Sequence, residues 1–239
     1  LDLYKEVSMV KVFQLSVKIY LLNNIKQEDA LNEICSFIDT TLARDEEFLE
    51  LHNKNCYKMY SFNSFYPVEE DRVYKEDKIY TFQIRTLDVK LANYLLNELH
   101  KSYTSSIKGI KVEAKEINRH HIEKVYSITP VLIKNDFGYW KNHMSIDEYA
   151  NRLKINMIKK YNEFTGENIK EDFPIFNSLK FDNKKPIAIK YKNIKILGDK
   201  LTLNISDDEL SQKIAYMCIG VGAGECNARG CGFLNYRWL

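Results

Sequence analysis

From Val10 to Tyr20 the chain alternates, with Phe13, Leu15, Val17 and Ile19 set against Gln14, Ser16 and Lys18. A period of two places the apolar set on one face and predicts a strand half-buried on that face. The period then changes. Ala30, Leu31, Ile34, Phe37, Ile38 and Leu42 recur at helical spacing and predict an amphipathic helix over about 27–43. An aromatic-rich run at 57–66 and an alternating run at 78–85, carrying Tyr80, Phe82 and Ile84, predict two further strands. Asp88 can cap a second helix with the stripe Leu91, Ala92, Leu95, Leu96 and Leu99. Ile110, Val112 and Ala114, alternating with Lys111, Glu113 and Lys115, close the half with a strand. The order is β-α-β-β-α-β.

The same plan then recurs. Val125 to Ile133 reads as a strand, and Ser145-Ile-Asp-Glu148 is a capping box before a helix that turns Ala150, Leu153, Met157, Ile158 and Tyr161 inward. Strands at about 186–196 and 200–205 flank Gly198-Asp199, a pair suited to closing a hairpin. Ser206-Asp-Asp-Glu209 reads as a second capping box, for a helix carrying Leu210, Ile214 and Met217, and a last strand follows at about 231–237. The expected fold is α+β, two tandem ferredoxin-like domains at 1–120 and 121–239. No Pro/Gly/Ser-rich linker parts them, so the halves are expected to pack together.

Composition narrows the class. Hydrophobic residues make up 45% and charged residues 28%, a globular balance, and no apolar run approaches the roughly 18 residues of a membrane span. A cytoplasmic protein without a signal peptide or membrane association is expected. The five cysteines (Cys35, Cys56, Cys218, Cys226, Cys231) are an odd number without a Cys-x-x-Cys pair, which argues against a disulfide framework and a zinc ribbon. The net charge of +2 decides nothing by itself. Its distribution says more, because 180–200 carries seven lysines against Asp182 and Asp199. Lys185, Lys190 and Lys192 can form a solvated face or a track for a phosphate backbone.

Five of the nine glycines fall between Gly220 and Gly232. Glycine tolerates positive φ and lets a backbone approach a neighbour closely. Such a loop can cradle an anion on its N–H groups, with Arg229 adding a planar cation, or it can simply pack tightly between helix and strand. A P-loop is excluded because no Gly-Lys-Ser/Thr follows, and the dinucleotide fingerprint fails because Glu225 stands where a third glycine is needed.

A duplicated ferredoxin-like plan ending in Gly222-Ala-Gly224, five residues, then Gly230-Cys-Gly232 resembles the CRISPR-associated endoribonuclease family that cuts precursor CRISPR RNA within each repeat. The resemblance covers nearly the whole chain. It implies that the glycine loop, with Asn227 and Arg229, binds RNA, and that the catalytic residues lie after the first helix. There His52 and Lys58 match the family's frequent His and Lys positions. A tyrosine often completes the set from within the first helix, but this helix offers Phe37, which leaves Tyr57 and Tyr60 as candidates for the third role. The implied partners are CRISPR repeat RNA and a CRISPR effector ribonucleoprotein complex, for a monomer or homodimer that needs no cofactor and no metal.

Elementary chemistry agrees with that choice. Metal-free RNA cleavage needs a base for the 2′-hydroxyl proton, an acid for the departing 5′-oxygen, and a cation where charge develops. Histidine titrates near neutrality and can fill either proton-transfer role, while lysine supplies the charge. The other histidines fit the bland reading better. His120 and His121 belong to the boundary, His100 ends a helix where a cation suits the dipole, and His143 shows no sequence partner. Acidic runs at Asp45-Glu46-Glu47 and Glu69-Glu70-Asp71 lack metal-ligand spacing. The aromatic signature of an RNA-recognition motif is also missing, so a general single-strand reader fits less well. A non-catalytic repeat binder and a structural subunit of a ribonucleoprotein remain as the alternative functions.

Overall fold

A computed structural model describes residues 10–54, 56–191 and 194–239, with the side chains of His52 and Tyr191 excepted. The first half runs β1 (Val12–Leu21), β2 (Ile25–Lys26), α1 (Ala30–Leu42), α2 (Glu46–Asn53), β3 (Tyr60–Phe62), β4 (Val73–Tyr74), β5 (Ile79–Thr86), α3 (Val89–Glu98) and β6 (Ile107–Ile117). The second runs β7 (Ile122–Ser127), α4 (Ile146–Thr165), β8 (Phe176–Phe181), β9 (Ile187–Tyr191), β10 (Ile194–Gly198), β11 (Leu201–Ile205), α5 (Glu209–Val221) and β12 (Leu234–Trp238). Each half builds a four-stranded antiparallel sheet, in the orders β3-β5-β1-β6 and β12-β7-β11-β8. Both orders place the first strand between the fourth and the third, with the second outermost. That is the ferredoxin-like arrangement, made twice.

Local chemistry starts and stops these elements. Asp88 caps α3 by accepting from the N–H groups of Lys90 and Leu91, and Ser145 and Glu148 form both halves of the capping box of α4. At α5 the expected box at Ser206 is displaced. Asp208 accepts from Ser211 N–H at 2.9 Å and starts the helix two residues later, while the Ser206 hydroxyl turns to Asn177.

The hairpin expected around Gly198-Asp199 is also corrected. Strand β11 pairs with β8 and β7, and β9 with β10 forms a separate two-stranded sheet. Asp199 instead bridges to Val131, and its buried carboxylate accepts from Tyr139, Trp140 and Asn183. Strand β8 escapes a period-two search because its pairing slips register between Asn204 and Ile205, and Phe176, Leu179 and Phe181 do not alternate strictly.

Helix α5 ties the halves together. Its residues from Ser211 to Val221 are nearly all buried, because one face packs on its own sheet and the other on β1, β3 and β5. Gly220 permits that approach: a Cβ there would stand 2.9 Å from Leu87 Cδ2 and 3.3 Å from Val12. Beside it lies Arg85, only 2% exposed, which donates to Gln14 Oε1 at 2.9 Å, to Asn235 Oδ1 at 3.0 Å, and to the carbonyls of Ile219 and Leu234. Burial lowers its pKa to about 10, yet the guanidinium remains charged and bolts the two sheets together.

Candidate active site

The glycine loop leaves the end of α5 and folds back on itself. Gly222, Gly224, Gly230 and Gly232 all have positive φ. At Gly232, with φ +66°, a Cβ would stand 1.9 Å from Ala223 O, and at Gly230 one would stand 2.8 Å from both Leu31 and Phe62 of the first half. Only glycine fits either place. The loop's N–H groups are largely spent inside the protein: Gly222 donates to Cys218 O, Ala223 to Gly232 O, Glu225 to Leu132 O, Gly230 to Asn227 O and Gly232 to Pro130 O. Tight packing, one of the two readings of this cluster, accounts for Gly222, Gly230 and Gly232; their N–H groups are not open to an anion.

Side chains complete the loop. Asn227 Nδ2 donates to Ala223 O at 3.0 Å and Cys231 O at 2.9 Å, which staples the two Gly-x-Gly pairs together. Its Oδ1 accepts from Lys160 Nζ at 2.6 Å, and the same ammonium donates to Gly222 O at 3.0 Å and Gly224 O at 2.6 Å. Burial pushes the Lys160 pKa down to about 8, against the upward pull of Cys218, Glu225 and Cys226. Arg229 reaches the first half, donating to Asp39 Oδ2 at 2.9 Å and Cys35 Sγ at 3.0 Å.

Opposite the loop stands the segment from Tyr57 to Tyr60. Tyr57 N–H donates to Glu163 Oε1 at 3.2 Å, and its ring centroid lies 5.7 Å from Lys160 Nζ. The phenol is half-buried, and burial, then Glu163 and Glu225, raise its pKa, so it is protonated at neutral pH. Lys58 Nζ donates to the carbonyls of Leu51 and Lys54 at the C-terminal end of α2, where a cation meets unpaired acceptors and the negative end of the helix. Tyr60 is buried and its pKa is raised strongly by desolvation, which makes it a core residue at the back of the site. His52 falls in the last turn of α2, a short helix not expected from the sequence. Its side chain lies outside the described residues.

Both walls enclose one cavity of about 300 Å³, lined by Tyr57, Lys58 and Tyr60 on one side and by Lys160, Glu225 and Asn227 on the other, with Lys134 at its edge. The fold thus brings together stretches more than 160 residues apart in sequence. It leaves others elsewhere. Lys190 pairs with Asp29 at 2.7 Å, Lys185 is exposed beyond β8, and Lys192 lies outside the described residues. His121 pairs with Asp207, His120 packs on Trp238 and His143 on Phe137; none of the three lines the cavity.

Sequence reasoning missed Lys160, Glu163 and Glu225. Lys160 left a signal, since it falls within the inward stripe of Leu153, Met157 and Tyr161, where a lysine must find buried acceptors. Glu225 and Glu163 left none, because their significance comes from neighbours distant in sequence.

Residues 112–236, more than half of the chain, match the family model described as CRISPR associated protein Cas6, C-terminal. The chain belongs to the Cas6 family. The matched region takes in α4 with Lys160 and the whole glycine loop, while Tyr57 and Lys58 lie before it. A curated relative, "CRISPR-associated endoribonuclease Cas6 2" of Methanocaldococcus jannaschii, is 25% identical over 218 residues, covering 82% of this chain and 87% of its own. Among solved structures, one titled "An RAMP protein binding different RNA substrates" superposes with TM-score 0.73 at 18% identity, covering 94% of this chain and 99% of the other. Another, from the work titled "Characterization of a Cas6-related gene from Pyrococcus furiosus", gives TM-score 0.68 at 15% identity, covering 95% and 98%. At those identities the structures establish the fold, and they do so over both halves.

Proposed function

We propose that this protein is a metal-independent endoribonuclease that cleaves CRISPR repeat RNA within precursor transcripts. The ribose 2′-oxygen attacks the adjacent phosphorus and the bond to the 5′-oxygen breaks, leaving a 2′,3′-cyclic phosphate and a 5′-hydroxyl. One group takes the 2′-hydroxyl proton and another protonates the leaving oxygen. His52 serves in one of these roles, Lys58 supplies charge to the phosphorane, and Tyr57, protonated at neutral pH, donates a hydrogen bond or the leaving-group proton. The observation that carries the reading is the shared cavity, in which Tyr57 and Lys58 face the glycine loop. Glu225 to Ala228 line that cavity, and in this reading they, with Arg229 beside them, are the part of the loop that meets RNA. The name of the Methanocaldococcus jannaschii relative supports the same activity.

We further propose a division of labour. Residues 1–120 carry the chemistry, and 121–239 position the loop and present Lys185, Lys190 and Lys192 to the RNA backbone. The cut product stays bound for handover to an effector complex. Among the described residues no helix is long and apolar enough to cross a membrane.

One observation favours the second reading, a repeat binder that does not cut: Lys58 is already held by two helix carbonyls and must leave them to reach a phosphate. Incubation of cognate repeat RNA with the protein in excess EDTA separates the two. Cleavage is expected, with abolition by a 2′-deoxy nucleotide at the scissile position. The His52→Ala variant is expected to cut roughly 10²–10⁴-fold more slowly with binding largely retained. Protection of the repeat without any cut would establish the binder instead.

A further inference from the structure

Helix α4 faces both walls of the cavity. Lys160 Nζ holds Gly222 O, Gly224 O and Asn227 Oδ1 at 3.0, 2.6 and 2.6 Å. Three residues on, and so on the same helical face, Glu163 accepts the N–H of Tyr57 at 3.2 Å. An ammonium has three donors, and three acceptors converge on this one. Lys160 is 1% exposed, and none of the three atoms it touches belongs to a carboxylate. A buried charge without a contacting counter-ion is a poor way to hold a helix in place, because an apolar side chain of the same length would pack there at less cost. Its particular capacity is to gather acceptors. Through Asn227, whose Nδ2 donates to Ala223 O and Cys231 O, the reach of this ammonium extends over both Gly-x-Gly pairs.

We propose that Lys160 is a positioning residue of the cleavage reaction: with Glu163 it fixes the separation of the glycine loop from the Tyr57–Lys58 segment, so that RNA held by the loop meets the reacting groups in register. The inference rests on the endonuclease reading of the cavity. It assigns α4 the role of a bracket, with the loop on one arm and the catalytic segment on the other. Burial lowers the pKa of Lys160, as expected of an ammonium taken out of water with no carboxylate in contact.

The test is single-turnover cleavage of a cognate repeat at saturating enzyme, measured beside the dissociation constant and a thermal melt. The Lys160→Met variant keeps the helix packing and loses the donors. Its rate is expected to fall by about tenfold to a hundredfold, as for a misplaced reacting group, while affinity stays within about threefold of wild type. Asn227→Ala cuts the same network at the loop and is expected to lose a similar share of the rate at saturating enzyme, where the contact of Asn227 itself with RNA does not enter. It decides the matter if Lys160→Met fails to fold. Glu163→Ala should lose rate that Glu163→Gln, which keeps an acceptor for Tyr57 N–H, largely retains. Near-normal rates in Lys160→Met and Asn227→Ala would overturn the proposal, as would affinity falling in step with rate in Lys160→Met. Failure of the endonuclease reading shows itself separately, because wild-type protein would then not cut at all.

Discussion

The glycine loop at 222–232 and the β9–β10 hairpin both reach from the second half to the first, and they are held by different physics. The loop arrives through close contact: Gly230 lies against Leu31 and Phe62, its backbone bonds are internal, and Lys160 and Asn227 lock it from beneath. The hairpin arrives through exposed ion pairs, Lys190 with Asp29 and Lys195 with Glu28, over a small apolar contact around Ile189. Buried contacts hold geometry to fractions of an ångström and are indifferent to salt. Surface pairs are screened and let their partners exchange. In the proposed reaction the rigid element stands beside the bond to be cut. In the proposed function the loosely held one trades carboxylates for phosphates.

The contrast can be broken at the loop first. Gly232→Ala forces a Cβ to 1.9 Å from Ala223 O at φ +66°, and a loss of about 3 kcal/mol or more is expected in urea unfolding. A near-neutral result would mean that the loop can relax and is not the rigid wall described.

Next comes pH. The Lys160 pKa is lowered to about 8 from its ordinary 10.5, so the folded state disfavours the charge. That penalty is complete below pH 8 and is relieved as pH rises from about 8 to 10.5, where the unfolded chain still binds the proton. The raised thiols of Cys218 and Cys231 act oppositely, because they ionise in the unfolded chain first. The clean measurement is the difference between wild type and Lys160→Met. Wild type should gain relative stability across that window, by at most on the order of 3 kcal/mol. A flat difference would remove the buried charge from the account.

Smaller effects sharpen the comparison. Arg229→Ala breaks a partly exposed pair with Asp39, and a loss of about 1 kcal/mol is expected, smaller in 1 M salt. Neutralising Lys190, as in Lys190→Gln, should change the melting temperature little. If the hairpin contacts RNA, the substitution weakens binding alike across RNA sequences and makes its salt dependence shallower. Equal affinity and an equal salt slope would return the hairpin to a purely structural role.

Periodicity made most of the fold readable, because strands and helices with one buried face must alternate at 2 or 3.6 residues. The exceptions have local causes. Strand β8 was missed where a register slip breaks its alternation, and the short α2 was missed because eight residues, five of them charged or polar, are too few to establish a period. The glycine loop announced itself by composition, and His52 and Lys58 by a family resemblance. Lys160 stood in plain view as a lysine on an apolar stripe, but its acceptors lie 62 to 67 residues away.

The amino-acid sequence alone determined most of the elements, the twofold β-α-β-β-α-β plan, and the need for a special backbone at 222–232, because these depend on spacing within a few residues. Only the tertiary structure decided what that backbone is for. It turned the carbonyls of Gly222 and Gly224 onto Lys160, spent the N–H groups of Gly222, Gly230 and Gly232 inside the protein, and set Glu225 to Ala228 across the cavity from Tyr57 and Lys58. The reason is distance. A hydrogen bond or a van der Waals contact between residues 57 and 227 exists only once two sheets and α5 have packed, and no periodicity along the chain encodes it.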